Sequence, residues 1–474
     1  LEVVAVERPE PYEPDDGQHG HQQGGEQPGR GPLIAAGAFG SGGGHGPDSH
    51  RSATVAPVPT PALTVLRDGV PLLALGILIL SGVRHAGPRT EAIVSVAAVA
   101  ATLALGVPDR AALTDVVDRL APVLVFLAGI LVVADVCSRA GLFDHAAARV
   151  ARAGIGRPDL LLGGAFVLAA AVTVTLSLDA TVILLAPVAV GAATALDESP
   201  WPSAYACLRM ANSASILLPT ANLTNLLALP FLPLSFLGFA AAMLPAWLAV
   251  IAIEYVGLRW LLAGELRSDG PTEPAPPDGG VPLLPAAVVG LMLVGFAAGH
   301  EVGLDPWVSA LGAAAALVTW ALWTRRDTVT GVVRAAQPAF LLYVLALAVV
   351  VAALSQGFLG DWVGRALPRG RSFWALLAAA VLATVLANLL NNISAALLVL
   401  PLLAPLGTPM VLAGLLGLNI GSGLTWIGSL ANLLWRRQLA ERGLSPHRRT
   451  FHAVAWGLTP VTLVAAVACL ALTS

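Results

Sequence analysis

The chain has 474 residues, 56% hydrophobic and only 12% charged, with a formal net charge of −3. A soluble domain carries about 25% charged residues, so a water-exposed globule is excluded. Mean hydropathy is +0.78, and apolar runs long enough to cross a bilayer recur from about residue 70 onward, which predicts an all-α polytopic protein in the lipid bilayer. The alternating ten-residue segments of a transmembrane β-barrel are absent, and no nucleic-acid partner is expected.

Residues 1–61 are rich in Gly, Pro, Gln, His and acids, and read as a disordered low-complexity tail. His19, His21, His45 and His50 fit such a tail better than a metal site. No secretory signal with an A-x-A-type cleavage site is present there, and a chain beginning at Leu1 is also compatible with a misplaced start. All 26 basic residues are Arg, whose codons are GC-rich, which points to a bacterium with a GC-rich genome. Cys137, Cys207 and Cys469 are far apart and read as small packing residues rather than disulfide or zinc partners.

Apolar segments follow at about 70–83, 91–107, 120–138, 160–176, 179–195, 203–229 and 234–262, then at 282–299, 306–323, 336–354, 373–389, 393–405, 409–434 and 451–472. Only Leu176-Ser177-Leu178-Asp179 separates one pair, and only Asn388-Leu389-Leu390-Asn391-Asn392 another. Neither gap is a normal aqueous loop. Each reads as the polar tip of a re-entrant hairpin, at about 160–195 and 373–406, where irregular backbone must be buried in protein or line a watery cavity. Ten full spans then remain, five in each half (62–262 and 282–474), joined by a polar linker at 263–281.

The arginines test this topology. With the tail left out and the first span starting outside, the outer loops hold Arg110, Arg119, Arg365, Arg369 and Arg371, while seventeen others, Arg209 among them, fall inside. The positive-inside rule prefers that orientation, in a bacterial inner membrane. Reading both pairs as full spans alters the bias only modestly. Residues 141–154 are amphipathic and basic, and read either as a helix on the inner surface or as a cytosolic loop.

The halves repeat at a shift of 207 residues. Asn212 falls on Asn419, Ser215 on Ser422, and Asn222-Leu223-Thr224-Asn225 on Ser429-Leu430-Ala431-Asn432. Five spans per half is an odd number, so the second copy is predicted to be inverted, a recurrent design of secondary transporters. Amides in an apolar helix cost free energy unless satisfied. Plain helix–helix hydrogen bonding would account for one of them, but a duplicated set beside two hairpin tips favours a solute or ion site. Pro219 and Gly421-Ser422-Gly423 predict that both asparagine helices break, exposing backbone groups that can bind.

Asp179 is the carboxylate placed at a hairpin tip, and an ionisable residue at that depth is a functional candidate, carrying a proton or holding a cation. The competing reading is a cap on backbone amides. Asp135 with Arg139, and Glu254 with Arg259, read as local pairs. No HExxH, GxSxG or paired intramembrane Asp supports an enzyme.

At these residues the sequence resembles the arsenite/antimonite efflux permeases, the ArsB-like branch of the ion transporter superfamily that also holds citrate-transporter-like proteins. Gly417-Leu-Asn-Ile-Gly-Ser-Gly-Leu-Thr-Trp-Ile-Gly-Ser-Leu-Ala-Asn-Leu-Leu-Trp435 is similar to the family's D-L-G-P-x-L-T-x-x-G-S-L-A-T-L-L-W. Asn391-Asn392 is similar to its N-N pair, Asp179 to the Asp of its A-N-D-G hairpin, and 213–225 to its T-A-S-L-P-L-V-V-S-N-L-V-N. The family's Asp is Asn419 here, its Pro is Ser422, its last Thr is Asn432, and Leu178 and Ala180 flank Asp179. The resemblance implies proton-coupled efflux of a neutral arsenous-acid-like solute, with Asp179 as coupling carboxylate, no cofactor, and association with a soluble ATPase subunit. The expected solute- or ion-binding groups are Ser177, Asn212, Asn222, Thr224, Asn225, Asn391, Asn392, Asn419, Ser422, Ser429 and Asn432. The expected coupling ion is H+, with Na+ as the alternative. A Na+/H+ antiporter or a carboxylate carrier of the same superfamily is the competing function, although the tips show no Arg that would welcome an anion.

Overall fold

A computed structural model describes residues 61–84, 87–266, 280–299 and 302–473. The tail, its histidines and most of the linker lie outside the described residues. No strand occurs among the described residues.

The first half runs α1 (Pro61–Arg84), α2 (Pro88–Ala104), α3 (Arg110–Arg139), α4 (Leu142–Ala153), α5 (Pro158–Thr175), α6 (Leu178–Ala180), a π turn at Thr181–Leu185, α7 (Ala186–Ala195), α8 (Trp201–Ser213), α9 (Leu223–Ala228) and α10 (Phe236–Leu261). The second runs α11 (Leu283–Gly299), α12 (Pro306–Trp323), α13 (Val329–Ala335), α14 (Pro338–Ser355), α15 (Phe358–Ala366), α16 (Phe373–Leu390), α17 (Asn392–Leu403), α18 (Thr408–Asn419), α19 (Leu430–Ala440) and α20 (Arg448–Thr473). By length and composition nine helical stretches among the described residues can cross a membrane. They include α5, α6–α7 and α16, so length alone does not separate a hairpin arm from a span. Helices α2 and α11, at 17 residues each, are shorter.

Side chains start and stop the helices. Asp109 caps α3, its Oδ1 accepting from Ala112 N at 2.8 Å. Ser235 caps α10 in the same way at 3.0 Å. These caps satisfy N–H groups that have no intrahelical acceptor. Residues 141–154 do form a helix. Phe143, Ala147 and Ala151, spaced four apart, are buried on one face of α4, which packs on α3, α5 and α7.

The two halves interlock. Helix α3 packs on α12 and α14, and α10 packs on α20. Close approach is set by small residues, since helices in lipid have no hydrophobic drive toward one another and rely on tight contact. At Gly129 of α3 an added Cβ would lie 3.2 Å from the Ala310 backbone of α12. At Gly417 of α18 it would run into the Ala380 carbonyl oxygen of α16. Around Gly312 of α12 nothing lies within 4 Å.

Two sequence expectations about charge are corrected. Arg209, counted with the arginines of the inner face, is instead buried in α8 at 2% exposure. Glu254 does not pair with Arg259. It pairs with Arg209, while Arg259 pairs with Asp159 at 3.2 Å. A fully buried carboxylate takes the nearest cation that is also out of water, and a neighbour in sequence that points to the surface cannot serve. The Asp135–Arg139 pair forms as expected, at 2.7 Å.

Gly417→Ala is expected to destabilise the protein by ~1–3 kcal/mol, because the new methyl group meets backbone rather than a movable side chain. Gly312→Ala is expected to be neutral or slightly stabilising. Thermal melting of both purified variants in detergent checks this, and equal melting temperatures would contradict it.

Candidate transport site

The site is built from four interruptions of helical backbone. At the first hairpin tip the chain is extended at Ser177, whose Oγ accepts from Ala180 N at 3.2 Å and starts α6. Ser177 therefore supplies the cap, which removes that role from Asp179. At the second tip Asn391 has a φ of 72° with a ψ of 158°, a strained backbone outside the left-handed helical region that Asn tolerates. Its Oδ1 accepts from Ile393 N at 2.8 Å and Ser394 N at 3.3 Å, starting α17.

The other two interruptions divide α8 from α9 and α18 from α19. The shift of 207 holds in three dimensions: α8 begins at Trp201 and α18 at Thr408, α9 at Leu223 and α19 at Leu430. The local bonds repeat as well. Ser215 Oγ donates to Asn212 O at 2.8 Å, and Ser422 Oγ to Asn419 O at 2.9 Å. Asn222 and Ser429 cap α9 and α19 through Thr224 N and Ala431 N, each at 3.2 Å. Asn225 Nδ2 donates to Ser215 O and Leu218 O at 2.8 and 3.0 Å, and Asn432 Nδ2 to Ser422 O and Thr425 O at 3.1 and 2.7 Å. Each unwound stretch frees carbonyls, and an Asn from the following helix satisfies them.

The two stretches are then joined. Asn212 Nδ2 donates to Asn432 Oδ1 at 2.9 Å, and Asn419 Nδ2 donates to Asn225 Oδ1 at 2.7 Å. Asn222 Nδ2 and Thr224 Oγ1 both donate to Asn419 Oδ1 at 2.6 Å. All six residues named in these bonds are at most 3% exposed. Buried amides of this kind must be satisfied, and these satisfy one another across the halves.

Asn391 and Asn392 lie beside this network. Asn392 N donates to Gly428 O at 3.0 Å, tying the second tip to the unwound stretch before α19. Asn392 Oδ1 and Ser394 Oγ are buried without a hydrogen-bond partner, as is Thr220 Oγ1 in the first interruption. The unpaired acceptors therefore sit at the second tip and in the first break, not on the paired asparagines.

Asp179 is not part of the amide network. Among the described residues no hydrogen bond or ion pair reaches its carboxylate. It is half-buried and faces a cavity of about 230 Å³ lined also by Glu91, Leu131, Gln337, Tyr343, Leu430, Leu434 and Arg437. Helix α19 links the two places, presenting Asn432 to the amides and Leu430 and Leu434 to that cavity. A second cavity, of about 280 Å³, lies between the start of α3, the end of α14, α17 and the segment around Pro230. Leu227 and Pro230 there are 207 residues before Leu434 and Arg437, so equivalent elements of each half line one cavity each.

Several residues escaped sequence reasoning. Asn388 Nδ2 donates to Gly421 O at 2.9 Å and its Oδ1 accepts from Thr425 Oγ1 at 2.8 Å. The spacing of Thr384 and Asn388 on one face of α16 could have signalled this. An Arg does lie near the site. Arg209 Nε donates to Glu254 Oε2 at 2.9 Å, its Nη2 donates to Glu254 Oε1, and its Nη1 donates to Thr459 Oγ1 at 3.1 Å. Ser213, next to Asn212, donates to Glu254 Oε1 at 2.8 Å. The guanidinium charge is therefore cancelled in place, and no sequence signal links positions 45 residues apart.

Glu254→Gln leaves a buried Arg without its counter-charge, an expected loss of ~3–5 kcal/mol, whereas the double variant Arg209→Met with Glu254→Gln is expected to recover most of it. Folded yield and melting in detergent measure both, and a neutral single variant would contradict this reading.

Comparison with known proteins agrees with this architecture. The citrate transporter family model matches residues 76–411, which include Asp179, the first asparagine helix and the second tip. The arsenical pump membrane protein of Escherichia coli is 26% identical over 357 residues, covering 69% of this chain and 79% of its own. That of strain K12 is 27% identical over 349 residues with the same coverage. A shorter stretch of 104 residues, 22% of this chain and 17% of the relative, is 35% identical to the uncharacterized transporter YfbS of strain K12. The crystal structure of the Alcanivorax borkumensis YdaH transporter, titled as having an unusual topology, matches at a TM-score of 0.52 over 87% of this chain and 98% of that one. At 16% identity it shares the fold alone. The chain is a multi-pass membrane transporter, and it belongs to the citrate transporter family.

Proposed function

We propose that the chain exports a small uncharged polyhydroxy solute of the arsenite or antimonite kind, in exchange for protons, across a bacterial inner membrane. The observation that carries this is a carboxylate without a partner, Asp179, facing a cavity, near a crossing of amides that holds no uncompensated positive charge. An anion such as a carboxylate needs a cation to replace its hydration, and the Arg beside the amides is held by Glu254, as Arg437 at the cavity is by Glu441. Amides, hydroxyls and freed backbone groups suit a neutral solute. A partnerless carboxylate at the hairpin tip, Asp179, suits a coupling cation. In this reading the two halves are inverted repeats, α5–α7 and α16–α17 are re-entrant hairpins, and the paired asparagines hold the broken helices together while the solute contacts the second tip. The relatives named arsenical pump membrane protein support the solute class.

Sodium coupling is the second reading, and one observation favours it. Asn392 Oδ1 and Ser394 Oγ are buried oxygens without partners at the second tip, the type of ligand a hard cation takes.

In cells lacking arsenic efflux, the wild-type chain is expected to lower arsenite accumulation, and Asp179→Asn to restore it to the level of empty vector. Equal accumulation with wild type and empty vector would overturn the substrate. Unchanged export by Asp179→Asn would overturn its coupling role. Export that persists when sodium is replaced by choline favours protons, and export that stops favours sodium.

A further inference from the structure

Asp179 lines two cavities, not one. The larger, of about 230 Å³, opens among α1, α2, α14 and α19 and has Tyr343, Phe340, Leu430 and Leu434 in its wall. The smaller, of about 130 Å³, lies between α3, α6, the π turn and α13, and its wall carries Asp135, Arg139 and Arg334. Leu131, Ile183 and Gln337 line both and form the partition between them. Gln337 has a φ of 48°, a left-handed conformation unusual for a residue with a long side chain, and it directly precedes Pro338 at the start of α14. Strained backbone of this kind persists where the surroundings enforce it, and it gathers at ligand clamps and switches.

The two spaces differ in chemistry. The smaller is bordered by Asp135, Arg139 and Arg334, the larger by Glu91 and Arg437. Arg139 bonds Asp135 at 2.7 Å and also faces Asp327 Oδ1 at 3.5 Å. Asp327 is 3% exposed, and its Oδ2 has no partner. Arg139 therefore has two carboxylates within reach. A cation arriving at Asp135 does not strand Arg139, because its guanidinium can turn to Asp327. The ionisable side chains that line the two cavities beside Asp179 are Glu91 of α2, Asp135 and Arg139 of α3, Arg334 of α13, Tyr343 of α14 and Arg437 of α19.

We propose that these cavities are separate routes to Asp179: the smaller, where Arg139 has both Asp135 and Asp327 in reach, admits the coupling cation, with Asp135 as its first acceptor, and the larger one admits the solute. This rests on the coupling role given to Asp179 above. In the proton case hydronium gives its proton to an Asp135 oxygen and leaves as water, and Asp135 passes the proton through water to an Asp179 oxygen and is ionised again, with Arg139 moving from Asp135 to Asp327 and back; Asp179 later releases the proton to water on the other side.

The first arm of the test needs no solute. Asp179→Cys is placed in a chain whose other cysteines are replaced by Ala, and its capture of silver ion is followed by loss of later thiol labelling. Filling the smaller cavity by Leu184→Trp, or more gently by Ala134→Leu, is expected to slow capture about tenfold, while Leu434→Trp in the larger cavity leaves it within about twofold. Equal slowing by both fillings, or slowing by Leu434→Trp alone, overturns the proposal. The second arm uses proteoliposomes and arsenite. Asp135→Asn is expected to cut pH-gradient-driven arsenite flux about tenfold while arsenite–arsenite exchange at equal pH stays within about twofold. A parallel loss of flux and exchange, or a loss of neither, overturns the role of Asp135. If wild type moves no arsenite but the silver pattern holds, the solute assignment falls and the two routes stand.

Discussion

Backbone that leaves the helix in an apolar interior exposes carbonyl and N–H groups that water cannot reach, and the rest of this structure follows from how they are satisfied. Asn225 and Asn432 each donate twice to the carbonyls freed by their own interruption. Each then offers its remaining oxygen to an Asn of the other half, Asn419 and Asn212 respectively. Neither interruption is satisfied without a side chain from its own half, and neither amide is satisfied without the other half. The halves are thus locked at their breaks rather than along smooth helix faces.

That arrangement leaves few groups uncommitted. Asp179, Asn392 Oδ1, Ser394 Oγ and Thr220 Oγ1 are among the groups at these interruptions without a protein partner. The paired asparagines resemble the frame of a site more than its contact surface, because nearly every donor they own is in use. The Arg209–Glu254 pair strengthens the frame from behind. It joins α8, α10 and α20, and through Ser213 it touches the residue next to Asn212. It also neutralises the buried positive charge beside the amide network.

Much of this was legible in the sequence, for local reasons. Pro219 and the Gly421–Gly423 run mark where helical hydrogen bonding fails, and the breaks fall there. The repeat at 207 residues was readable because both copies kept the amides and hydroxyls that cap and fill each break. The Asp135–Arg139 pair was readable because four residues is one helical turn. The competing reading of Asp179 as a cap falls because the hydroxyl of Ser177 reaches the first free N–H. The pairing of Arg209 with Glu254 was not readable because its partner lies on another helix, where no periodicity points.

The sequence by itself determined a multi-pass helical membrane chain, the positions at which its helices break, and the side chains available to mend them. These are consequences of composition, of glycine and proline, and of spacing along one helix. Only the tertiary structure decided which amide meets which across the halves, that Asp179 faces two cavities rather than the asparagines, and that Arg209 is neutralised. Those outcomes depend on which helix faces come together in space. The side chains that meet there are up to 220 residues apart, and nothing local to either one encodes the meeting.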